Sequence, residues 1–173
     1  MKTKTYEGQE PCDYITAEAL DTAGLAEGLK MKAEDVRYVV VHCSATRPDQ
    51  DYTAAQLVGD HVRRGFRTGG YHFYVRRDGT VSQFRRLLEK GAHCKGSNHN
   101  SIGVCYEGGL DEQGRAADTL TAVQQERIGS IIDALVRLLP ALRLVRGHRD
   151  MPGACTDCPC LDAASRFGAH MPT

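Results

Sequence analysis

Short apolar runs alternate along the chain with longer segments in which apolar residues recur every three or four positions. Residues 71–76 and 80–84 flank Asp78-Gly79, a pair that favours the tight turn of a β-hairpin. Three further runs are typical of buried strands: 37–43, 101–107 and 142–146. These patterns predict the strands of one central sheet.

Three segments are predicted to be helices from their apolar spacing: 54–64, 121–139 and 161–167. Thr53 is an N-cap residue for the first of them, and Pro140 ends the second. Helices interspersed with strands predict an α/β single domain, in which a central mixed β-sheet is flanked by helices.

The 173 residues suit one domain rather than two. Residues 1–35 are interpreted as an N-terminal extension and residues 36–173 as the main domain. Within the extension, the Ala/Leu/Glu-rich segment 16–29 predicts a helix, although Gly24 and Gly28 weaken it.

Composition excludes several classes of function. Lys and Arg number 22, as do Asp and Glu, so the chain has no charge excess for binding nucleic acid or anionic lipid. No apolar run approaches the roughly 20 residues of a membrane helix, and no apolar signal segment is visible. We therefore expect cytoplasmic synthesis without a Sec signal, followed by release through lysis or through dedicated secretion.

Seven cysteines are an odd number for a disulfide framework, and metal ligation, buried thiols or one late disulfide fit better. His42 ends one predicted strand, His148 follows another, and three cysteines come shortly afterwards. Two histidines and one thiolate are typical of catalytic zinc, which keeps a fourth position open. Spacing alone does not choose among Cys155, Cys158 and Cys160, and each histidine could instead be a hydrogen-bonded core residue.

Tyr71 begins a predicted strand and could donate its phenol proton to a developing oxyanion, or could simply pack in the core. The polar segments 91–93 and 98–101 suit either a groove for a polar ligand or a loop with Asx turns.

Taken together and in order, five motifs resemble the zinc-dependent N-acetylmuramoyl-L-alanine amidases of the type-2 family, which includes phage-lysozyme amidases and peptidoglycan recognition proteins. The motifs are Val-His-Cys-Ser-Ala-Thr at 41–46, Gly-Tyr-His-Phe at 70–73, Arg-Asp-Gly at 77–79, Asn-His-Asn-Ser-Ile-Gly-Val at 98–104 and Gly-His-Arg-Asp at 147–150. The resemblance covers roughly residues 36–168.

The resemblance implies one Zn²⁺ per chain, held at one end of the sheet by His42, His148 and Cys158. Cys158 is chosen because residues 158–162, Cys-Pro-Cys-Leu-Asp, resemble the family's ligand-Pro-x-aromatic-Asp stretch, with Leu161 replacing the aromatic residue. Cys155 and Cys160 then become neighbours of the ligand, as further ligand support or as a redox pair.

The activity that the resemblance implies is hydrolysis of the amide between N-acetylmuramic acid and L-alanine in peptidoglycan, by zinc-activated water. Tyr71 and Thr156 would stabilise the oxyanion, and Glu107 would act as a general base or remain a solvated charge. His93 and Asn98 would contact the muramyl peptide.

Two other classes of function remain as alternatives. The first is a non-catalytic peptidoglycan-binding module of the same fold, against which the complete ligand set and Tyr71 argue. The second is a cysteine-nucleophile amidase using Cys43 or Cys105 with a histidine. Because neighbouring strand residues point to opposite faces, His42 and Cys43 cannot act together without a bulge.

Overall fold

The computed structural model describes residues 2–7 and 15–173. Within these residues, six strands form one sheet: β1 (Lys4–Tyr6), β2 (Tyr38–Cys43), β3 (Phe73–Val75), β4 (Val81–Gln83), β5 (Ser101–Tyr106) and β6 (Leu144–Gly147). Their order across the sheet is β1–β4–β3–β5–β2–β6. The pairs β2/β5, β2/β6 and β3/β5 are parallel, whereas β3/β4 and β1/β4 are antiparallel. The predicted mixed sheet and its hairpin are confirmed.

The described part of the chain has three α-helices beside the sheet: α1 (Ala54–Arg63), α2 (Ala122–Leu138) and α3 (Ala163–Phe167). A capping box begins each of the two longer helices. Thr53 pairs with Gln56 at α1, and Thr121 pairs with Gln124 at α2. Within the described ranges, no helix has the length and apolar character needed to cross a membrane.

The two faces of the sheet are covered differently, and this difference positions the site. Val39 and Val41 of β2 pack in the larger core with Ile131 of α2. On the opposite face, Leu57 of α1 packs against Tyr74 of β3 in a smaller cluster. Because successive strand residues point to opposite faces, His42 lies on the α1 side of the sheet.

The predicted helix at 16–29 is wrong. The segment forms short 3₁₀ turns at Ala17–Leu20 and Glu27–Leu29, and Gly24 lies between them with a φ of +78°. A left-handed backbone at that position interrupts any helix, so the glycines outweigh the Ala/Leu/Glu composition.

Other described parts of the N-terminal extension contact the sheet and the core. Strand β1 pairs with β4 at one edge, and the Met31 amide donates to the Leu88 carbonyl at 2.8 Å. Ile15 and Met31 are both buried in the larger core. Cys12 lies outside the described residues.

His72 is a fully buried histidine whose two ring nitrogens are both used. Nδ1 accepts from the Gly103 amide at 3.0 Å, and Nε2 donates to the Glu89 carbonyl at 2.7 Å. Burial, with a smaller contribution from the charge of Arg85, lowers the pKa of His72 from 6.5 to about 3.

This histidine predicts acid sensitivity of the fold. Below pH 6.5 the unfolded chain takes up the proton first, so the contribution of His72 to the free energy of unfolding should fall by about 1.4 kcal/mol per pH unit on the way towards pH 3. Urea denaturation between about pH 6 and pH 4, in the presence of a chelator, measures this slope. We expect the free energy of unfolding of His72→Gln to depend less on pH, by the amount that uptake of one proton contributes. The exposed control His99→Gln should have the same slope as the unmodified protein. Equal slopes in all three proteins would refute the assignment.

Candidate metal centre

Three side chains from separate segments bring potential metal-binding atoms together. Those of His42, His148 and Cys158 all lie within 4.8 Å of one another. His42 Nδ1 is 3.7 Å from Cys158 Sγ. Zinc–nitrogen and zinc–sulfur bonds of ordinary length at a tetrahedral angle would separate these atoms by about 3.6 Å. The donor set therefore fits a zinc ion.

Strand register brings the two histidines together. Val41 of β2 is paired with Gly147 of β6 in a parallel arrangement, so the next residue of each strand leaves the pair at the same level. Those next residues are His42 and His148, whose ring centroids are 4.6 Å apart. Burial lowers the pKa of both imidazoles, which keeps them in the neutral form that ligates metals.

Hydrogen bonds to its backbone hold the loop after β6 beside these two histidines. The Arg149 amide donates to the Cys158 carbonyl at 2.7 Å, and the buried Tyr106 hydroxyl donates to the Pro159 carbonyl at the same distance. The Cys43 amide then donates to Cys158 Sγ at 3.3 Å. This contact holds the sulfur at the end of β2, next to His42.

The three ligand atoms face a cleft of about 490 Å³ between the sheet and α1. Tyr71 lines this cleft with its ring centroid 4.9 Å from that of His42. Burial raises the pKa of Tyr71 well above its usual value. The phenol therefore stays protonated and able to donate a hydrogen bond.

Comparison with known proteins supplies the deciding observation. Residues 32–160, which cover most of the chain and all three candidate ligands, match the family model described as N-acetylmuramoyl-L-alanine amidase. This chain belongs to that amidase family. An endolysin of Escherichia phage T7 is 38% identical over 122 residues, covering 70% of this chain and 81% of the relative. An endolysin of Enterobacteria phage T3 is 40% identical over 118 residues, covering 68% and 78%.

Solved structures agree with the family assignment. An endolysin amidase, LysCS from Clostridium intestinale, superposes with a TM-score of 0.58 at 26% identity, covering 77% of this chain and 80% of that one. Bumblebee PGRP-SA superposes with a TM-score of 0.65 at 22% identity over 85% and 89%, a likeness that concerns the fold alone.

The other cysteines of this amidase-family chain are arranged differently from Cys158. Cys155 is exposed, and Cys160 Sγ lies 3.9 Å from Cys43 Sγ, so Cys160 faces Cys43. The pKa of the Cys43 thiol is raised mainly by its hydrogen bond with Cys158 and, to a smaller extent, by burial. Burial likewise raises the pKa of Cys105. Neither Cys43 nor Cys105 has the low pKa of a cysteine nucleophile.

Of the remaining predicted contact residues, His93 lines the cleft, whereas Asn98 and Thr156 are not among its lining residues. His93 is only 8% exposed, with both ring nitrogens in hydrogen-bond contact with side chains. Asn98 is half-buried, and its Oδ1 accepts from the amides of His93 and Cys94 at 2.9 and 3.0 Å. Thr156 is exposed, and its Oγ1 accepts from the Cys158 amide at 3.1 Å.

Glu107 is buried in a cluster of donors and does not line the cleft. It accepts from the amides of Tyr52 and Arg77 at 2.9 and 3.0 Å. The guanidinium groups of Arg76 and Arg77 lie 3.2 and 3.3 Å from its oxygens. These contacts join the end of β5 to the end of β3 and to the loop before α1. The predicted base role of Glu107 stays a prediction.

The Glu107 cluster predicts a measurable stability effect. We expect Glu107→Gln to lower the free energy of unfolding by about 1.5–3 kcal/mol, since it removes the charge that two partly buried arginines neutralise. Denaturant unfolding of the zinc-free protein measures this change. Unchanged stability accompanied by a large loss of turnover would instead identify Glu107 as a catalytic base.

His61 of α1 is a cleft residue that sequence reasoning missed. Its Nδ1 accepts from the Gly70 amide at 2.8 Å, and its ring centroid lies 5.5 Å from that of Tyr71. The available signal was its spacing: Leu57 and His61 are four residues apart and are the two buried residues of α1. A histidine on the inward face of an amphipathic helix marks a polar contact there.

Proposed function

We propose that this chain hydrolyses the amide bond between N-acetylmuramic acid and the L-alanine of peptidoglycan stem peptides. In this proposal His42, His148 and Cys158 hold one Zn²⁺. The observation that carries the proposal is the geometry of the site: two neutral histidines and one cysteine sulfur lie at distances that suit zinc and face an open cleft. The chain that holds them belongs to the amidase family. Three protein ligands leave a coordination position for water or substrate, as catalytic zinc sites do.

The side chains around this centre have distinct roles in the proposal. Bound zinc would polarise the scissile carbonyl and activate the attacking water. Tyr71 keeps its proton and donates a hydrogen bond to the carbonyl oxygen as negative charge develops there. The hydroxyl oxygen of Thr156 accepts a hydrogen bond from the Cys158 amide. Its own proton remains available, and in the proposal it gives the carbonyl oxygen a second hydrogen bond. Donors held in place before the reaction begins stabilise the transition state more than the ground state.

The setting that we propose is lysis. The phage relatives of this chain are endolysins, which favours release from a lysing cell and action on its wall. Peptidoglycan and its muramyl peptides are then the partners of the cleft. The predicted contact of Asn98 with the muramyl peptide belongs to the same proposal.

A non-catalytic peptidoglycan-binding module is the second candidate. A peptidoglycan-recognition protein of Drosophila melanogaster is 30% identical over 133 residues, covering 72% of this chain and 68% of the relative. A binding module needs the cleft but has no use for a metal centre. The zinc-spaced donor set therefore favours the hydrolase.

Product analysis of digested, purified peptidoglycan tests the proposal. An amidase creates one new amino terminus on alanine for each bond cut and creates no new reducing sugar ends. We expect alanine amino termini alone. New reducing ends would indicate a glycosidase, and cosedimentation with peptidoglycan without any release would indicate the binding module.

A further inference from the structure

A chain of three hydrogen bonds leads from His42 away from the cleft and into the protein. His42 Nε2 lies 2.9 Å from His93 Nδ1, and His93 Nε2 lies 3.3 Å from Ser101 Oγ. Ser101 Oγ donates to the Ser97 carbonyl at 2.5 Å. His42 is 1% exposed and Ser101 is fully buried, so water does not compete for these groups.

The direction of each bond follows from the far end of the chain. A carbonyl oxygen can only accept, so the Ser101 proton is used on Ser97 and Ser101 Oγ accepts from His93 Nε2–H. A neutral His93 with its proton on Nε2 presents a lone pair at Nδ1, which accepts from His42 Nε2–H. The lone pair of His42 is then on Nδ1, the atom that faces Cys158 Sγ.

We propose that His93, held by Ser101, is a positioning residue that keeps the His42 ring oriented with Nδ1 towards the metal. The inference rests on the zinc site of the proposed function and deepens it. A hydrogen bond to the outer nitrogen of a metal-bound histidine fixes its tautomer and orientation and increases its basicity. In this protein the partner of the outer nitrogen of His42 is a neutral histidine, His93, which is itself hydrogen-bonded to Ser101.

Packing holds the His93 ring independently of its hydrogen bonds. A Cβ added to Gly91 would lie 2.4 Å from His93 Cδ2, and one added to Gly103 would lie 2.6 Å from His93 Cγ. Both contacts are closer than carbon atoms allow, so the ring occupies the space that these glycines leave. The Asn98 side chain fixes the backbone by accepting from the His93 amide. Close packing and this hydrogen bond together restrict the positions that the ring can take.

This arrangement gives His93 a role other than direct substrate contact. Both of its ring nitrogens are used inside the protein, and 8% of its surface is exposed. A substrate group could reach those nitrogens only by breaking the bond to His42 or the bond to Ser101. The two roles predict different consequences for zinc affinity.

Zinc competition with a chromophoric chelator, on the full chain, tests the proposal. We expect His93→Phe to weaken zinc binding by about 10–100-fold, as loss of a ligand's outer partner does. The exposed His99→Phe, an identical change six residues away, should leave the affinity unchanged. Ser101→Ala removes only the supporting oxygen and should weaken zinc binding by about threefold to tenfold, which keeps the test available if His93→Phe does not fold.

A spectroscopic readout separates positioning from a general loss of packing. In the zinc-free protein, the His42 Nε2 proton should be protected from exchange and visible by NMR, and His93→Phe should lose this signal. Wild-type zinc affinity in both His93→Phe and Ser101→Ala would overturn the proposal, and a raised KM for muramyl peptide would then assign His93 to substrate binding. If the unmodified protein binds no zinc, the proposed function fails first and this inference fails with it.

Discussion

Cys158→Ser is expected to reduce amide hydrolysis of peptidoglycan by about a thousandfold or more, because it removes metal catalysis that contributes several kcal/mol. In the proposed site Cys158 supplies the only sulfur of the three-ligand set, and its Sγ lies 3.7 Å from His42 Nδ1. A serine hydroxyl is a weak ligand for zinc at neutral pH, since it does not ionise as a thiol does. Zinc content and the rate of stem-peptide release, measured on the same preparation, should fall together.

Cys155→Ser is the matched control for this substitution. The two cysteines lie in the same loop, but Cys155 is exposed and is not part of the cluster of potential ligands. We expect Cys155→Ser to keep its zinc and most of its activity. Loss of zinc from Cys155→Ser with retention by Cys158→Ser would show that the wrong cysteine has been assigned.

Removal of the metal is expected to destabilise the fold substantially. An ion that binds only the folded state stabilises it by about 4 kcal/mol when free zinc is 1,000 times its Kd. For a domain of this size, that change corresponds to a fall in Tm of about 8–16 °C on chelation. The ion is expected to bind only the folded state because the candidate ligands come from three segments, β2, the turn after β6 and the following loop, which folding brings together.

Thermal unfolding with and without chelator measures the effect. Cys158→Ser provides the control, because a protein without the site should show no shift on chelation. Readdition of zinc should restore the Tm of the unmodified protein. Equal Tm values before and after chelation would show that the site does not bind metal in the folded protein.

Most of the fold could be predicted because its signals are local. The apolar run at β2, the Asp78-Gly79 turn and the Thr121 cap each specify nearby residues, and each element formed within a few residues of its predicted bounds. Strand β1 escaped prediction because it has three residues at a sheet edge, too few for a pattern. The strand order was not readable either, since it depends on contacts between distant segments.

The candidate site could be predicted only in part, because it too depends on contacts between distant segments. Strand ends marked the two histidines, but the spacing of the cysteines did not separate Cys158 from its neighbours. The contact between His42 and His93 joins residues 51 positions apart, and nothing local to either residue signals it. Glu107 shows the opposite case, in which a local signal was present but ambiguous. Its position at a strand end suggested a catalytic carboxylate, whereas in the structure its partners are arginines.

The most direct test of a zinc-dependent amidase is the zinc content of the purified protein, measured together with release of L-alanine-led stem peptides from peptidoglycan. Both quantities are followed in the protein as purified, after chelation and after zinc is restored. We predict about one zinc per chain, with release that disappears and returns as the metal does. Release that continues in the metal-free protein and stops with a thiol reagent would contradict the account and place catalysis on a cysteine.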